Sequence, residues 1–408
     1  VLPALRNVKP SLEARQVFGM AKLSQPATTT HLTAAQAAAL DRGLVAMKPI
    51  FAELGDAAAR PGARWPAALA DPRDPARELG KGVLLPGGPY LAEIARLAAR
   101  RAHEMGNDDE AFGHLMQALT VARVLDANPL IMMHRAAVRI RTDVATAAEQ
   151  LLPTADFSDR TAASAGALMQ ALGTTRDFQK AQGRSYRYQA AVIPGVLEQW
   201  SPQLGSWLLR PLRRDDVGRS LEELAAKFPA ADSATYDQRL IPRLRPFALV
   251  DSNAARIATQ LSGDDYDFRR WLEEHADALT DSRAVALLLA ARLFALQRHR
   301  EAANIQELAA LLPEPPVDPF ARDGAWLHYR VEASGGATVW SVGSNHVDDH
   351  GLLPRRRYYD WQERYQQPDL IYGAAWAARF DTPAAPLNAA STTRPEPSSR
   401  RSPSPPGR

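Results

Sequence analysis

Residues 90–125 read YLAEIARLAARRAHEMGNDDEAFGHLMQALTVARVL. Leu91, Ile94, Leu97 and Ala98 recur at three- and four-residue spacing, which is the apolar stripe of an amphipathic helix. Gly106-Asn107-Asp108 interrupts the pattern, and Ala111, Leu115, Ala118, Leu119, Ala122 and Leu125 start a second stripe. Asp108, Asp109 and Glu110 stand where the second helix begins, so they complement its exposed N–H groups. Pro129 marks another break, and a third helix is expected from about Leu130 to Leu152. Connections this short make successive helices antiparallel neighbours. The stretch therefore sets the fold class as mainly α, an antiparallel helical array.

Upstream, residues 1–30 carry no periodic signal and read as an extended N-terminal segment. Thr33-Ala34-Ala35-Gln36 is a capping box. It opens a helix carrying Leu40, Leu44, Met47 and Phe51, with Pro49 inside and Gly55 and Pro61 at its end. The Pro- and Gly-rich stretch 61–89 reads as loop. Ala102, Gly106, Ala111, Leu115 and Ala118 resemble one tetratricopeptide-type helix pair, but no second copy follows at a period of about 34 residues.

Downstream, a short helix is expected at Leu168–Leu172 and a kinked one at Tyr186–Trp200, which holds Pro194 and Gly195. Ser220-Leu221-Glu222-Glu223 is a second capping box, and Pro229, Pro242 and Pro246 flank less regular chain. Asp267–Leu279 and Ser282–Leu312 read as two further helices, the second Ala- and Leu-rich and largely buried. The helical domain thus spans 31–312.

At Pro313 the composition changes. Pro313, Pro315, Pro316 and Pro319 forbid helix. Trp326–Val331 and Ala337–Val342 alternate as strands do, joined by Ser334-Gly335-Gly336, a hairpin signal. This small β module is placed at 313–373, packed on the helices as a cap. The remainder, 374–408, is a Pro/Ser/Arg-rich tail with seven prolines from Thr382 onward. It has too little apolar surface to offset ordering entropy and is expected to be disordered.

Composition excludes several function classes. The 408 residues include no cysteine, which removes disulfides, thiolate metal sites, iron–sulfur clusters and cysteine nucleophiles. The net charge is +3, and the tail accounts for it: Arg394, Arg400, Arg401 and Arg408 against Glu396 give 4 − 1 = +3. The folded part is then near neutral, so a nucleic-acid partner is not expected. No apolar run approaches the roughly 18 residues that a membrane helix needs. Membrane association is expected only through a segment upstream of Val1.

Residues 313–372 carry the most informative motif. PEPPVDPF is followed by the hairpin ending TVWSVGSNHVDDHG, then a variable insert, then PDLIY. This resembles the C-terminal part of the major pseudopilins of type II secretion, where a DPW/DPF turn leads into a strand pair, a Ser-x-Gly-x-Asp-Gly loop and a final Asp-Ile. It is similar also to a group of uncharacterised bacterial envelope proteins that join a long helical region to DPF, SVG and DDGG motifs. The matching positions here are Asp318, Pro319, Phe320, Tyr329, Trp340, Ser341, Val342, Gly343, Asn345, Asp348, Asp349, Gly351, Asp369, Leu370 and Ile371. Two positions depart from the pattern: glycines of the family are His346 and His350 here.

The resemblance implies a calcium loop. Asp348, Asp349 and Asp369 bring three carboxylates together if the final strand returns beside the hairpin, and Ser341 and Asn345 add neutral oxygens. Six to eight hard oxygens suit Ca²⁺. Against this, Arg355, Arg356 and Arg357 of the insert oppose a cation, and the acids also serve as ordinary turn residues. His346 and His350 beside Asp348 and Asp349 raise zinc as an alternative, weakened by the flanking Gly343 and Gly351, which argue for loop. The Arg355–Tyr359 cluster reads as a charged edge better than as a single-strand grip.

No HExxH, GxSxG, Walker A or strand-borne GxGxxG motif is present. The expectation is a non-enzymatic structural or interaction protein of the cell envelope or periplasm, with a protein partner and a pseudopilin-like module. A helical adaptor binding a protein or peptide in a groove is the first alternative, and a cytoplasmic location is the alternative to the envelope. A hydrolase with its site between helical body and β cap is the second.

Overall fold

The computed structural model describes residues 34–58, 88–126, 131–174, 264–321, 324–332, 335–343, 346–351 and 370–373. Seven helices precede three strands among them. These are α1 (Ala34–Ala58), α2 (Gly88–Glu104), α3 (Asp108–Asp126), α4 (Ile131–Leu151), α5 (Asp159–Gly173), α6 (Asp264–Arg298) and α7 (Ile305–Ala309). The strands are β1 (His328–Val331), β2 (Ala337–Ser341) and β3 (Leu370–Gly373). The N-terminal segment 1–30, the break at Pro129, the readings at 186–200 and 220–223, the insert at 352–368 and the tail at 374–408 lie outside the described residues.

The helical array follows the periodicity. α2 starts at Gly88, three residues before Leu91, and Pro89 is pre-set for a first helical turn. It ends where Gly106 takes φ 77, and the Asn107 N–H closes the turn on the Ala102 carbonyl. α5 is longer than the short helix expected. Ser158 caps it by accepting from the Thr161 N–H, and the helix runs 15 residues. Arg101 grips Asp41 through two bonds of 2.8 and 2.9 Å, tying α1 to α2.

Two helices act as hubs. α3 packs against α1, α2, α4 and α5, while α6 packs against α4, α5, α7, β2 and β3. Phe112, Leu115, Ala118 and Leu125 of α3 have no exposed area, and every residue of α6 from 278 to 291 is buried. One apolar core runs from Phe51 of α1 through Phe112 and Leu287 to Val339, Leu370 and Tyr372 of the sheet.

The largest difference from the sequence reading is at α6. The expected separate helices at 267–279 and 282–312 are a single 35-residue helix that ends at Arg298. Thr280-Asp281-Ser282 does not break it. Thr280 Oγ donates to the Ala276 carbonyl one turn back at 2.8 Å, and Asp281 accepts from the Tyr372 hydroxyl at 2.7 Å. The chain breaks instead after Arg298, where His299 takes φ 52, before Asn304 caps the five-residue α7.

The sheet order is β1-β2-β3, all antiparallel. His328 faces Trp340 across the hairpin, and Trp340 faces Ile371 across the second pair. β2 is buried throughout, as a central strand packed on α6 must be. The returning strand at 370–373 lies beside the hairpin, and Gly373 is required there. A Cβ at Gly373 would sit 2.4 Å from the Ala337 carbonyl oxygen, on a backbone with φ 150. No helix among the described residues is long and apolar enough to cross a membrane.

Candidate functional site

The motif residues converge on one side chain. Asp318 has no exposed surface. Its Oδ1 accepts from the Phe320 N–H at 2.9 Å and from Ser341 Oγ at 2.8 Å, and its Oδ2 accepts from the Val342 N–H at 2.9 Å. The Asp318 N–H donates to the Ala325 carbonyl at 2.8 Å. One carboxylate thus binds the DPF turn to the end of β2, which explains why Asp-Pro-Phe and Ser-Val-Gly occur together. Burial pushes the Asp318 carboxyl above the usual range, while its three hydrogen bonds pull the other way.

Polar bonds also dock this module on the helices. Arg283 Nη1 of α6 donates to the Val317 carbonyl at 2.6 Å, and Tyr372 donates to Asp281. The Gly373 N–H donates to Glu149 Oε1 of α4 at 3.0 Å. Burial lowers the Arg283 guanidinium to about 10, with Glu314 and Asp318 opposing the shift. Sequence reasoning missed Glu149, Asp281 and Arg283. The only signal was a polar run, Thr280–Arg283, inside an otherwise apolar helix.

Of the five expected cation ligands, Asn345 and Asp369 lie outside the described residues. Ser341 is buried, with Oγ donating to Asp318 and accepting from the Gly343 N–H at 3.1 Å. Asp348 Oδ1 accepts from Trp340 Nε1 at 2.9 Å and from the His350 N–H at 2.8 Å. Its Oδ2 faces His350 Nδ1 at 3.3 Å and His328 Nε2 at 3.7 Å. Partial burial works to raise the Asp348 carboxyl, but the Trp340 and His350 bonds and the two imidazoles outweigh it and hold it low. Asp349 is interacting as well. Ser341 and Asp348 are thus engaged in hydrogen bonds, and no group of three or more His, Asp or Glu suited to a metal occurs among the described residues.

Two histidines of the loop hold an unusual backbone. His346 and His350 have φ 58 and 60, the left-handed region that favours glycine. His346 Nδ1 bonds to the Phe320 carbonyl at 2.7 Å, while the His350 side chain is 75% exposed. Gly351, at φ 61, lies against the Trp340 ring, where a Cβ would come within 3.1 Å. His328 stacks on Trp340 with centroids 5.0 Å apart.

Another arrangement, in the helical body, has the outline of a hydrolytic relay. His103 Nδ1 lies 2.5 Å from Asp108 Oδ1, and His103 Nε2 lies 3.0 Å from Thr154 Oγ1. That is the order carboxylate, imidazole, hydroxyl. The surroundings do not complete it. The N–H groups of Thr154 and Ala155 donate to the Leu151 carbonyl, and the Asp156 N–H donates to Asp108 Oδ2 at 2.7 Å. The donors beside Thr154 are therefore taken, and no oxyanion position is formed there. The line works as a latch between the α2–α3 turn and the turn after α4.

Compared with known protein families, with curated proteins and with solved structures, the chain matches none.

Proposed function

We propose that the protein is a non-enzymatic structural or interaction protein of the bacterial cell envelope. In this reading the helical array is the working surface for a protein partner, and the pseudopilin-like module is its closure. The carrying observation is the use made of the motif's polar side chains. Asp318, Ser341 and Asp348 each hold parts of the module to one another, so the residues most suited to chemistry serve construction. The envelope location rests on the motif resemblance.

Two measurements test this. A calcium ion at the 343–351 loop would draw on Asp349 and the second oxygen of Asp348, joined by Asn345 and Asp369. With Ser341 and Asp348 already engaged, melting of the full chain should be the same in millimolar Ca²⁺ and in excess EDTA. A calcium-dependent rise, lost in Asp349→Asn, would make the loop a cation site; an ion at 100 times its Kd stabilises by about 2.7 kcal/mol. The hydrolase alternative requires turnover of an activated ester that Thr154→Ala abolishes. No turnover is expected, and such a loss of activity would overturn the non-enzymatic reading.

A further inference from the structure

The contact between α4 and α6 gathers several buried titratable and charged groups. His134 of α4 is 1% exposed and bonds through Nδ1 to Asp126 at the end of α3. The ring of His275, on α6, lies 5.6 Å from the His134 ring. His275 is half-buried as a residue, but its Nδ1 is closed off from solvent. Arg141 of α4 and Arg283 of α6 are both buried and act on the same imidazole. Of the carboxylates nearby, Asp126 bonds to His134, Asp281 accepts from Tyr372, Glu274 pairs with Arg135 at 3.6 Å, and Asp277 of α6 interacts as well.

We propose that this seam is an acid-sensitive contact, in which protonation of His275 adds a positive charge beside His134, Arg141 and Arg283 and loosens α6 from α4. Burial first, and then the charges of His134, Arg283 and Arg141, holds the His275 pKa well below the ordinary histidine range. A base whose pKa is lower in the folded state binds fewer protons there than in the unfolded chain. Stability is thus complete above the unfolded value of about 6.5 and falls as pH drops beneath it. α6 also carries Asp281 and Arg283, which dock the β module, so loosening the seam weakens that docking too.

The test is denaturation of the full chain at pH 7.5 and 5.0, for wild type and for His275→Gln. One extra proton on the unfolded chain changes the unfolding constant by up to about tenfold per pH unit. The wild type should lose stability on this scale between pH 6.5 and 5, and the variant should show a visibly flatter profile. Equal pH profiles in the two proteins would overturn the proposal. If the variant does not fold, hydrogen exchange of the wild type decides. At pH 5, after correction for chemical exchange rate, residues 131–151 and 274–298 should lose protection ahead of residues 111–125. Uniform loss, or none, would overturn it.

Discussion

The helical body and the β module use different chemistry in interiors that touch. Around α3 most buried side chains are small or apolar, Phe112, Leu115, Ala118, Leu119 and Leu125 among them, and their close approach fixes most of the packing. In the module three strands of four or five residues surround Asp318 and Ser341, both with no exposed surface. A sheet this short buries little area and is marginal alone. Its position is set by the apolar core it shares with the helices and by directional bonds, from Asp318 within the module and from Glu149, Asp281 and Arg283 across to the helices. The body relies mainly on area, and the module adds directional partners to the apolar core it shares with the helices.

That contrast can be broken first at Asp318. Asp318→Ala leaves the Phe320 and Val342 N–H groups and the Ser341 hydroxyl without their acceptor, and removes a charge that acts on buried Arg283. A loss of about 3–5 kcal/mol is expected, read as early loss of the Trp340 environment in near-ultraviolet dichroism. If the module were held by apolar area, the change would be far smaller. Tyr372→Phe removes one hydrogen bond to a buried carboxylate and keeps the ring. It should lower stability by about 1.5–3 kcal/mol in denaturant titration, and the loss should be small in a chain that already carries Asp281→Asn.

The smallest effect sharpens the comparison within the loop. His350→Gly relieves a left-handed backbone at an exposed side chain, and a gain of up to about 1 kcal/mol in thermal melting is expected. His346→Gly relieves the same backbone but loses the bond to the Phe320 carbonyl, so it should not stabilise. Equal gains from both would show that the His346 bond contributes nothing.

Periodicity carried the described part of the body because it reports which helix face meets the core, and the hairpin was placed by its strand-forming residues and its glycine turn, since β2 is buried on both faces. Gly106, Asn107 and the Ser334-Gly335-Gly336 turn were legible because local backbone needs select those residues. The continuity of α6 was not. Thr280-Asp281-Ser282 has the composition of a helix boundary, and its reason for being buried is Tyr372, 91 positions later than Asp281. The site was legible only as a set of names. Asp318, Ser341 and Asp348 stood out as oxygen-bearing motif positions, but spacing does not reveal that their oxygens accept from Val342, Trp340 and one another's neighbours. The Asp108–His103–Thr154 line was invisible for the same reason, since Thr154 lies 51 residues from His103.

The position of β3 has a consequence for biosynthesis. The strand that completes the sheet, donates to Asp281 and reaches Glu149 is the last described element of the chain. While the protein is being made, Asp281, Arg283 and Glu149 emerge well before Tyr372 and Gly373. A nascent chain therefore carries the helical body with its docking face still open, and the ribosome must finish β3 before that face can close. Stalling or truncation a few codons short of Gly373 would release a product with most of its mass and none of its closure, a natural substrate for quality-control proteolysis.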